Sequence, residues 1–246
     1  MRIGWIVLAA LGWALTAPAS AAPCETQVFD DDQFTVCRFD SRHQEMRLVW
    51  TDANRVAVRS FSRLSRILGG DSGRVRFAMN AGMFEDNGMP LGLYVERGVV
   101  RRPLNTRSGG GNFYLKPNGV FLLRRDGTVR VETSEAVTAE PAPPLFATQS
   151  GPMLVIDGEF NANIAADGPS RNIRNGVGVR DGHTALFVIS EDAVSFGRLA
   201  RFFRDGLKCR DALYLDGSIS SLWVPSEPRQ VGGFDLGPMI VVLDKP

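Results

Sequence analysis

The sequence contains few of the residues on which many enzymes rely. Its 246 residues include only two histidines and three cysteines. The histidines, His43 and His183, lie far apart beside polar residues, so a zinc site of histidine and cysteine ligands is not expected. The sequence also lacks a GxSxG nucleophile elbow, a GxGxxG loop and a Walker loop. These absences argue against a zinc enzyme, an α/β-hydrolase and the common nucleotide-binding folds.

An excess of charge of one sign is also missing. The chain has 28 lysines and arginines against 27 aspartates and glutamates, for a net charge of +1. A long acidic or basic tail is absent, and no repeat of fixed period is visible. Because proteins that bind nucleic acid carry a concentrated positive surface, a nucleic-acid partner is not expected.

The long apolar run of the sequence lies at its N-terminus. Arg2 is followed by IGWIVLAALGWAL and then by TAPASA, which ends in small residues at alternate positions. This pattern predicts a signal peptide over residues 1–21, cleaved after Ala21. The run is short and interrupted by glycine, so an uncleaved anchor is the weaker alternative. The protein is expected to be exported, periplasmic or secreted, with no stable membrane span after cleavage.

The three cysteines fit an exported protein, in which pairs of cysteines oxidise. Cys24 and Cys37 flank a polar DDDQ turn and could join the two strands of an N-terminal hairpin. Cys209 follows a predicted helix, and we interpret it as a buried, inert thiol rather than a nucleophile. A disulfide between Cys209 and either of the other two remains an alternative at this point.

The spacing of apolar residues predicts more strands than helices. Helical spacing occurs at residues 60–70 and 194–208. Short alternating or apolar runs, separated by Gly, Asn-Gly and Asp-Gly turns, predict strands and hairpins at residues 34–40, 45–51, 75–82, 91–102, 109–132, 146–160, 175–190, 211–217 and 236–244.

These elements predict the α+β class: a mixed, mostly antiparallel β-sheet packed by a few amphipathic helices in a single domain. Regular strand–helix–strand alternation is absent, which disfavours a doubly wound sheet. A proline-rich stretch at 138–145 could link two domains. Neither side of it has a complete set of elements, so we interpret it as a surface loop. After the signal peptide we therefore expect an N-terminal hairpin segment at 22–44 and one domain over 45–246.

Several predicted strands end with a polar residue close to a glycine. Asn80 follows an apolar run, Gln149 and Ser150 precede Gly151, and Asp216 ends the run ALYLD. Glycine at such places allows tight turns and close approach of the backbone to a ligand. Each residue alone is more typical of a turn or cap, but together they predict a pocket if the strands are neighbours.

Two further stretches carry candidate ligand-binding groups. Arg171 and Arg174 lie three residues apart before a glycine-rich strand, and guanidinium groups bind phosphate in a fork. The alternative is a pair of solvated surface arginines. The run FEDNGM, residues 84–89, offers Glu85 and neighbouring oxygen ligands for calcium, although such a run is usually only a turn.

Six ordered blocks resemble the phosphodiester glycosidase family, which is also described as a bacterial domain of unknown function. That family includes the lysosomal enzyme that uncovers mannose 6-phosphate by removing N-acetylglucosamine from a phosphodiester. The resemblance spans roughly residues 45–245, which is nearly the whole chain after the predicted signal peptide. The blocks are NAGMF (80–84), PLGLYVE (90–96), GNFYLKPNGVF (111–121), QSGPMLV (149–155), RNGVGV (174–179) and ALYLDGSISSLW (212–223).

The resemblance implies which residues form the site. It implies a site role for the residues of four blocks: Asn80, Gly82 and Phe84; Arg174; Asp216, Gly217 and Ser218; and, from the bacterial relatives, Gln149 and Ser150. The sequence departs from the family pattern LDGGGS at Ser218 and Ile219, which stand where the family has glycines.

The implied reaction is hydrolysis of a sugar 1-phosphodiester, of the N-acetylglucosamine-1-phosphodiester type, to free sugar and phosphomonoester. Asp216 is then the candidate base or nucleophile at the anomeric carbon. Arg174, helped by Arg171, is the candidate phosphate-binding group. Asn80 and Ser218 are candidates to bind sugar hydroxyls or phosphate oxygens. Glycoside hydrolysis usually needs two carboxylates, and Glu85 and Glu96 are the candidates for the second.

Two other functions are compatible with the sequence. A non-catalytic carbohydrate-binding or envelope accessory protein would retain the pocket without turnover, which the altered LDGSIS block favours. A metal-dependent phosphatase would use the FEDNG turn with Asp216 and would lose activity on chelation. For the glycosidase no cofactor or metal is expected, with a calcium ion as the alternative, and the expected partner is a small-molecule or polymeric glycan.

Overall fold

The computed structural model describes residues 22–138, 142–227, 229–231 and 235–246, with the side chains of Ser218 and residues 229–231 excepted. The predicted signal peptide and part of the predicted loop at 138–145 therefore lie outside the described residues. The described residues form mainly antiparallel β-sheets with a few short helices in a single domain, which confirms the predicted α+β class.

Three sheets make up the architecture, and all their strand pairs are antiparallel. Seven strands form sheet 1, in the order β1 (Cys24–Phe29), β2 (Asp32–Asp40), β13 (Thr184–Ser190), β12 (Asn175–Asp181), β14 (Asp211–Tyr214), β10 (Met153–Ile156) and β11 (Glu159–Phe160). Sheet 2 has the order β16 (Arg229–Val231), β15 (Leu222–Val224), β4 (Val75–Asn80), β17 (Met239–Asp244) and β3 (Gln44–Val49). Sheet 3 has the order β6 (Val99–Arg102), β5 (Tyr94–Glu96), β9 (Phe146–Ser150), β7 (Gly119–Leu123) and β8 (Val129–Thr133).

The helices are short and capped by side chains. They are α1 (Phe61–Leu68), α2 (Ser134–Val137) and α3 (Phe196–Arg201), with 3-10 turns at Gly69–Arg74, Asn112–Tyr114 and Gly217–Ile219 and a π turn at Phe202–Gly206. The hydroxyl of Ser60 caps α1, and that of Ser195 caps α3. Both predicted helices are therefore present, but the second changes to π geometry after Arg201. Among the described residues, none of the helices has the length and apolar character needed to cross a bilayer.

Sheet 1 separates two parts of the core. Every residue of β13 is buried, and successive side chains point to opposite faces of the sheet. Phe187 contacts the rings of Phe77 and Phe121, which belong to sheets 2 and 3. Its neighbour Val188 packs in the cluster that contains Leu199 of α3. Because residues from all three sheets share the larger cluster, the sheets form one core.

The N-terminal hairpin is part of sheet 1. β1 pairs with β2 over its whole length, and β2 pairs with β13 from Thr184 opposite Asp40 to Ser190 opposite Phe34. A disulfide joins Cys24 to Cys37, which are directly opposite in the register. Cys209 is a free, buried thiol whose pKa is raised to about 12 by burial, as expected for an unreactive cysteine.

Removal of the disulfide is expected to destabilise the protein by about 2–3 kcal/mol, because the bond closes a short loop in the unfolded chain. The comparison is the free energy of unfolding in urea for wild type and the variant Cys24→Ser/Cys37→Ser. Reductant should lower the stability of wild type to that of the variant and leave the variant unchanged. Equal stability of the oxidised wild type and the variant would contradict the expectation.

Candidate functional site

The ends of four strands meet around the segment Tyr214–Gly217. β14 ends at Tyr214, and the chain continues through Asp216 into the 3-10 turn that begins at Gly217. β12 begins beside this end, since Gly176 lies opposite Tyr214 in an antiparallel pair. The last residues of β4 and β9 contact the same segment through their side chains. The topology therefore gathers polar groups from three sheets at one place.

Asn80, the last residue of β4, fixes the backbone on both sides of the 3-10 turn. Its Nδ2 donates to the carbonyl oxygen of Asp216 at 2.8 Å. Its Oδ1 accepts from the backbone N–H of Ser221 at 2.8 Å and from Nδ2 of Asn175 at 2.9 Å. The side chain is buried, so these contacts are shielded from water. Asn80 thus holds the backbone from which the Asp216 carboxylate projects.

Ser150, the last residue of β9, holds the preceding peptide. Its Oγ donates to the carbonyl oxygen of Leu215 at 3.0 Å. Two consecutive carbonyls, those of Leu215 and Asp216, are therefore anchored to two different sheets. Asp216 is itself only 9% exposed. The backbone that carries the Asp216 side chain is thus held at one position, as preorganised chemistry requires.

Arg174, which directly precedes β12, is a buried cation. It is 1% exposed, and its guanidinium group lies 3.8 Å from the centroid of the Phe196 ring. Nε donates to the carbonyl of Val194 at 2.8 Å, and Nη2 donates to the carbonyl and hydroxyl of Ser170 at 3.0 and 3.2 Å. Nη1 donates to the hydroxyl of Tyr214 at 3.3 Å. Among the described residues Arg174 forms no ion pair with a carboxylate.

The Tyr214 hydroxyl lies between Arg174 and the Asp216 turn. Its oxygen accepts from Nη1 of Arg174 and from the backbone N–H of Gly217, the latter at 2.8 Å. Burial raises the pKa of Tyr214, the charge of Asp216 raises it further, and Arg174 lowers it. Burial also lowers the pKa of Arg174. The Tyr214 hydroxyl therefore remains protonated. It links the guanidinium group of Arg174 to the turn that carries the Asp216 carboxylate.

Glycines make this packing possible at two places. A Cβ atom at Gly217 would collide with the Tyr214 hydroxyl, and one at Gly82 would collide with the carbonyl oxygen of Gln149. Phe84, from the same block as Gly82, is half-buried, and the guanidinium group of Arg59 lies 5.5 Å from its ring centroid. The two glycines therefore allow close packing at the chain segments that carry Asn80 and Asp216.

Gln149 lies on the opposite face of β9 from Ser150. Its Oε1 accepts from the N–H groups of Leu93 and Asn105 at 2.8 and 2.9 Å. Its Nε2 donates to the Asn105 carbonyl at 2.8 Å and to the Ser134 hydroxyl at 2.9 Å. All hydrogen-bonding positions of the amide are thereby used. The structure gives Gln149 the role of fixing a loop of sheet 3 and does not bring it to Asp216.

The two candidates for a second carboxylate are oriented elsewhere. Glu85 faces Arg102, with Nη2 and Oε1 3.5 Å apart. Glu96 accepts from the Tyr94 hydroxyl at 2.7 Å and lines a cleft that does not include Asp216. Within the described ranges, neither contacts the segment Tyr214–Gly217.

Arg171 and Ser218 complete the set of predicted residues. Arg171 is an exposed side chain in an ion pair with Asp167 at 2.8 Å. Asp167 also accepts from the hydroxyl of Ser195, the cap of α3, at 3.0 Å. Ser218 lies in the 3-10 turn after Asp216, and its side chain is outside what the structure describes.

Tyr214, Asn175 and Phe196 were not predicted from the sequence. Tyr214 and Asn175 stand beside predicted residues within the blocks ALYLDG and RNGVGV, so the blocks themselves held the signal. Asn175 has no exposed surface, and its Nδ2 donates to the backbone and side-chain oxygens of Asn80 at 3.1 and 2.9 Å. Phe196 carries no sequence signal for its contact with Arg174, because only the fold brings α3 to that position.

The calcium alternative has limited support in the turn itself. In FEDNGM, Oδ1 of Asn87 accepts from the backbone N–H of Met89 at 2.9 Å, and Glu85 faces Arg102. Across the part of the chain that the structure describes, no three His, Cys, Asp or Glu side chains are grouped so that they could hold a metal ion.

The phosphodiester glycosidase family matches residues 73–242, and the chain belongs to this family. The matched range includes Asn80, Arg174 and Asp216. A glycan-type substrate follows from membership at this general level. The curated protein YigE of Escherichia coli K12, described as uncharacterized, is 34% identical over 214 residues, covering 84% of this chain and 81% of YigE.

Solved structures show the same fold at low sequence identity. The catalytic domain of zebrafish N-acetylglucosamine-1-phosphodiester alpha-N-acetylglucosaminidase, auto-inhibited by its pro-peptide, superimposes with a TM-score of 0.57 at 14% identity, covering 91% of this chain and 82% of that one. A hypothetical protein from Synechocystis gives 0.55 at 16% identity, covering 90% and 61%. These likenesses concern the fold.

Proposed function

We propose that the protein is an exported hydrolase that cleaves a sugar 1-phosphodiester of the N-acetylglucosamine-1-phosphodiester type to free sugar and phosphomonoester. The observation that carries this proposal is the arrangement at the end of β14. A nearly buried Asp216 stands two residues after Tyr214, whose hydroxyl pairs with Arg174, and the arginine has no carboxylate partner among the described residues. A buried cation without a carboxylate partner favours the binding of an anionic ligand.

Asp216 is assigned to the anomeric carbon. As a base it takes a proton from water, whose oxygen attacks that carbon; as a nucleophile it bonds to the carbon, and water later releases the sugar. In both routes the bond between the anomeric carbon and the phosphate oxygen breaks, and the phosphomonoester leaves with the electron pair. A phosphate leaving group needs less protonation than a sugar hydroxyl, so a single carboxylate helped by a cation suffices in this proposal.

Arg174 is assigned to the charge of the leaving phosphate. Its Nε, both hydrogens of Nη2 and one of Nη1 are used within the protein, which leaves one Nη1 hydrogen for the phosphate. We therefore assign it a role as a fixed positive charge rather than a forked clamp. Asn80 supports the reaction by holding the Asp216 backbone, and Ser218 is kept as a candidate for contacts to sugar or phosphate oxygens.

The proposal is tested by incubating the protein with an N-acetylglucosamine-1-phospho-alkyl ester, or with UDP-N-acetylglucosamine, in water enriched in oxygen-18. The expected products, by mass spectrometry, are N-acetylglucosamine and an unlabelled phosphomonoester, because water adds to carbon. Label in the phosphate product would show attack at phosphorus and would contradict a glycosidase. Addition of a chelator is expected to leave the rate of hydrolysis unchanged. Loss of activity with chelator, together with release of inorganic phosphate from monoesters, would support the metal-dependent phosphatase.

A non-catalytic saccharide-binding protein is the second candidate. It is favoured by Ser218 and Ile219, which replace glycines of the LDGGGS pattern beside Asp216. It predicts saturable binding of the phosphodiester, measured by calorimetry, with no product after prolonged incubation. Turnover that is lost on substitution of Asp216 would exclude it.

A further inference from the structure

A second cleft lies away from the candidate catalytic residues. It has a volume of about 870 Å³ and runs between β3 and the hairpin of β5 and β6. Neither Asp216 nor Arg174 lines it. Its size is in the range of sites that bind small molecules or short segments of a polymer. Its lining side chains are therefore informative about what it binds.

The wall of the cleft combines an aromatic ring with an anchored carboxylate. Trp50 is partly exposed, and its ring meets Tyr94 edge to face, with centroids 6.0 Å apart. The hydroxyl of the buried Tyr94 donates to Oε1 of Glu96 at 2.7 Å, which fixes the carboxylate at the cleft. The indole N–H of Trp50 is buried and has no acceptor within the described chain. Aromatic rings beside fixed polar groups suit ligands that have an apolar face and hydroxyls.

The unbalanced charge at the rim of the cleft is positive. Arg55 and Arg97 line it, and neither forms an ion pair in the described ranges of the chain. All three acids that line the cleft already have arginine partners, Asp71 at 2.8 Å, Asp52 at 2.6 Å and Glu96 at 3.8 Å. Arg55 and Arg97 also adopt φ angles of 63° and 50°, which arginine rarely adopts. The two guanidinium groups are thus left for an anionic ligand.

The geometry points to a second, non-catalytic site in this cleft that binds an acidic saccharide through Trp50, Glu96 and the pair Arg55 and Arg97. The sugar ring stacks on the indole, its hydroxyls donate to Glu96, and its acidic groups contact the two arginines. An acidic peptide added as a strand is the less suitable ligand. The chain returns at Val58, whose N–H donates to the Trp50 carbonyl at 2.9 Å, so main-chain groups at this end of β3 are already used.

The test follows the indole N–H resonance of Trp50 in nitrogen-15-labelled protein, assigned with Trp50→Phe. Trp223, which stacks on Phe61 with ring centroids 6.1 Å apart and does not line the cleft, is the internal reference. The probes are tetragalacturonate, neutral chitotetraose and a tetraglutamate peptide. Tetragalacturonate is expected to shift the Trp50 signal saturably and to bind roughly tenfold more tightly than the other probes.

The variant Arg55→Gln/Arg97→Gln is expected to bind tetragalacturonate roughly tenfold more weakly than wild type and to lose the preference for tetragalacturonate over chitotetraose. Both side chains are exposed, so the fold should be unaffected. Absence of a saturable Trp50 shift, an equal shift of Trp223, equal binding of tetraglutamate, or full affinity in the double variant would each overturn the inference. Asp216→Asn should bind tetragalacturonate like wild type, which separates this site from the proposed hydrolysis.

Discussion

Asp216→Asn is expected to lower kcat/KM for the N-acetylglucosamine-1-phospho-alkyl ester by about 10³-fold or more, since asparagine can act neither as base nor as nucleophile. The change keeps the size of the side chain, and the hydrogen bond from Asn80 to the backbone carbonyl of this residue is unaffected by it. The folded state should therefore persist. The measurement is steady-state release of N-acetylglucosamine beside a thermal unfolding curve.

Asp211→Asn is the matched control, because Asp211 stands at the other end of β14. Burial raises the pKa of Asp211, and its Oδ1 accepts from the N–H of Asp157 at 2.9 Å, a bond that asparagine can retain. This variant should keep nearly full activity. If Asp216→Asn were as active as Asp211→Asn in folded protein, the role assigned to Asp216 would be refuted.

The sequence predicted those parts of the fold that depend on neighbouring residues. The Asp181-Gly182 turn predicted the hairpin of β12 and β13, and Ser60 with Gly69 bounds the first helix. The pairing of distant strands was not predictable in this way. β14 pairs with β10 and β12, and β2 with β13, because burial of their side chains on both faces of sheet 1 selects these partners.

The candidate site was likewise predictable only in part, because some of its contacts depend on how distant segments pack. Asn80, Ser150 and Asp216 were expected to lie together if their strands were neighbours, and the structure brings them together. Gln149 was grouped with Ser150, although successive residues of a strand point to opposite faces, so both could not face one pocket. Tyr214 was overlooked because an aromatic residue in an apolar run is typical of a core. Its hydroxyl contacts depend on where Arg174 lies in the fold.

Arg174→Met is expected to reduce kcat/KM for the phosphodiester by about 10²–10³-fold, the usual effect of removing a group that stabilises developing negative charge. The carbonyls of Val194 and Ser170 would also lose their donors, at a cost of about 1–3 kcal/mol in stability. A loss of activity alone would therefore not distinguish a role at the phosphate from a packing role. The identity of the leaving group does distinguish them.

An aryl N-acetylglucosaminide has the same anomeric carbon but no phosphate. If Arg174 stabilises the leaving phosphate, Arg174→Met should slow the phosphodiester at least about tenfold more than the aryl glycoside, because only the former develops phosphate charge. An equal loss of kcat/KM on both substrates would show that Arg174 acts through packing and not on the leaving phosphate. Arg171→Gln is the matched control: Arg171 already pairs with Asp167 at 2.8 Å, so its replacement should change the ratio of the two rates little. A large change of that ratio in Arg171→Gln would instead place the phosphate nearer the surface, beyond the buried guanidinium of Arg174.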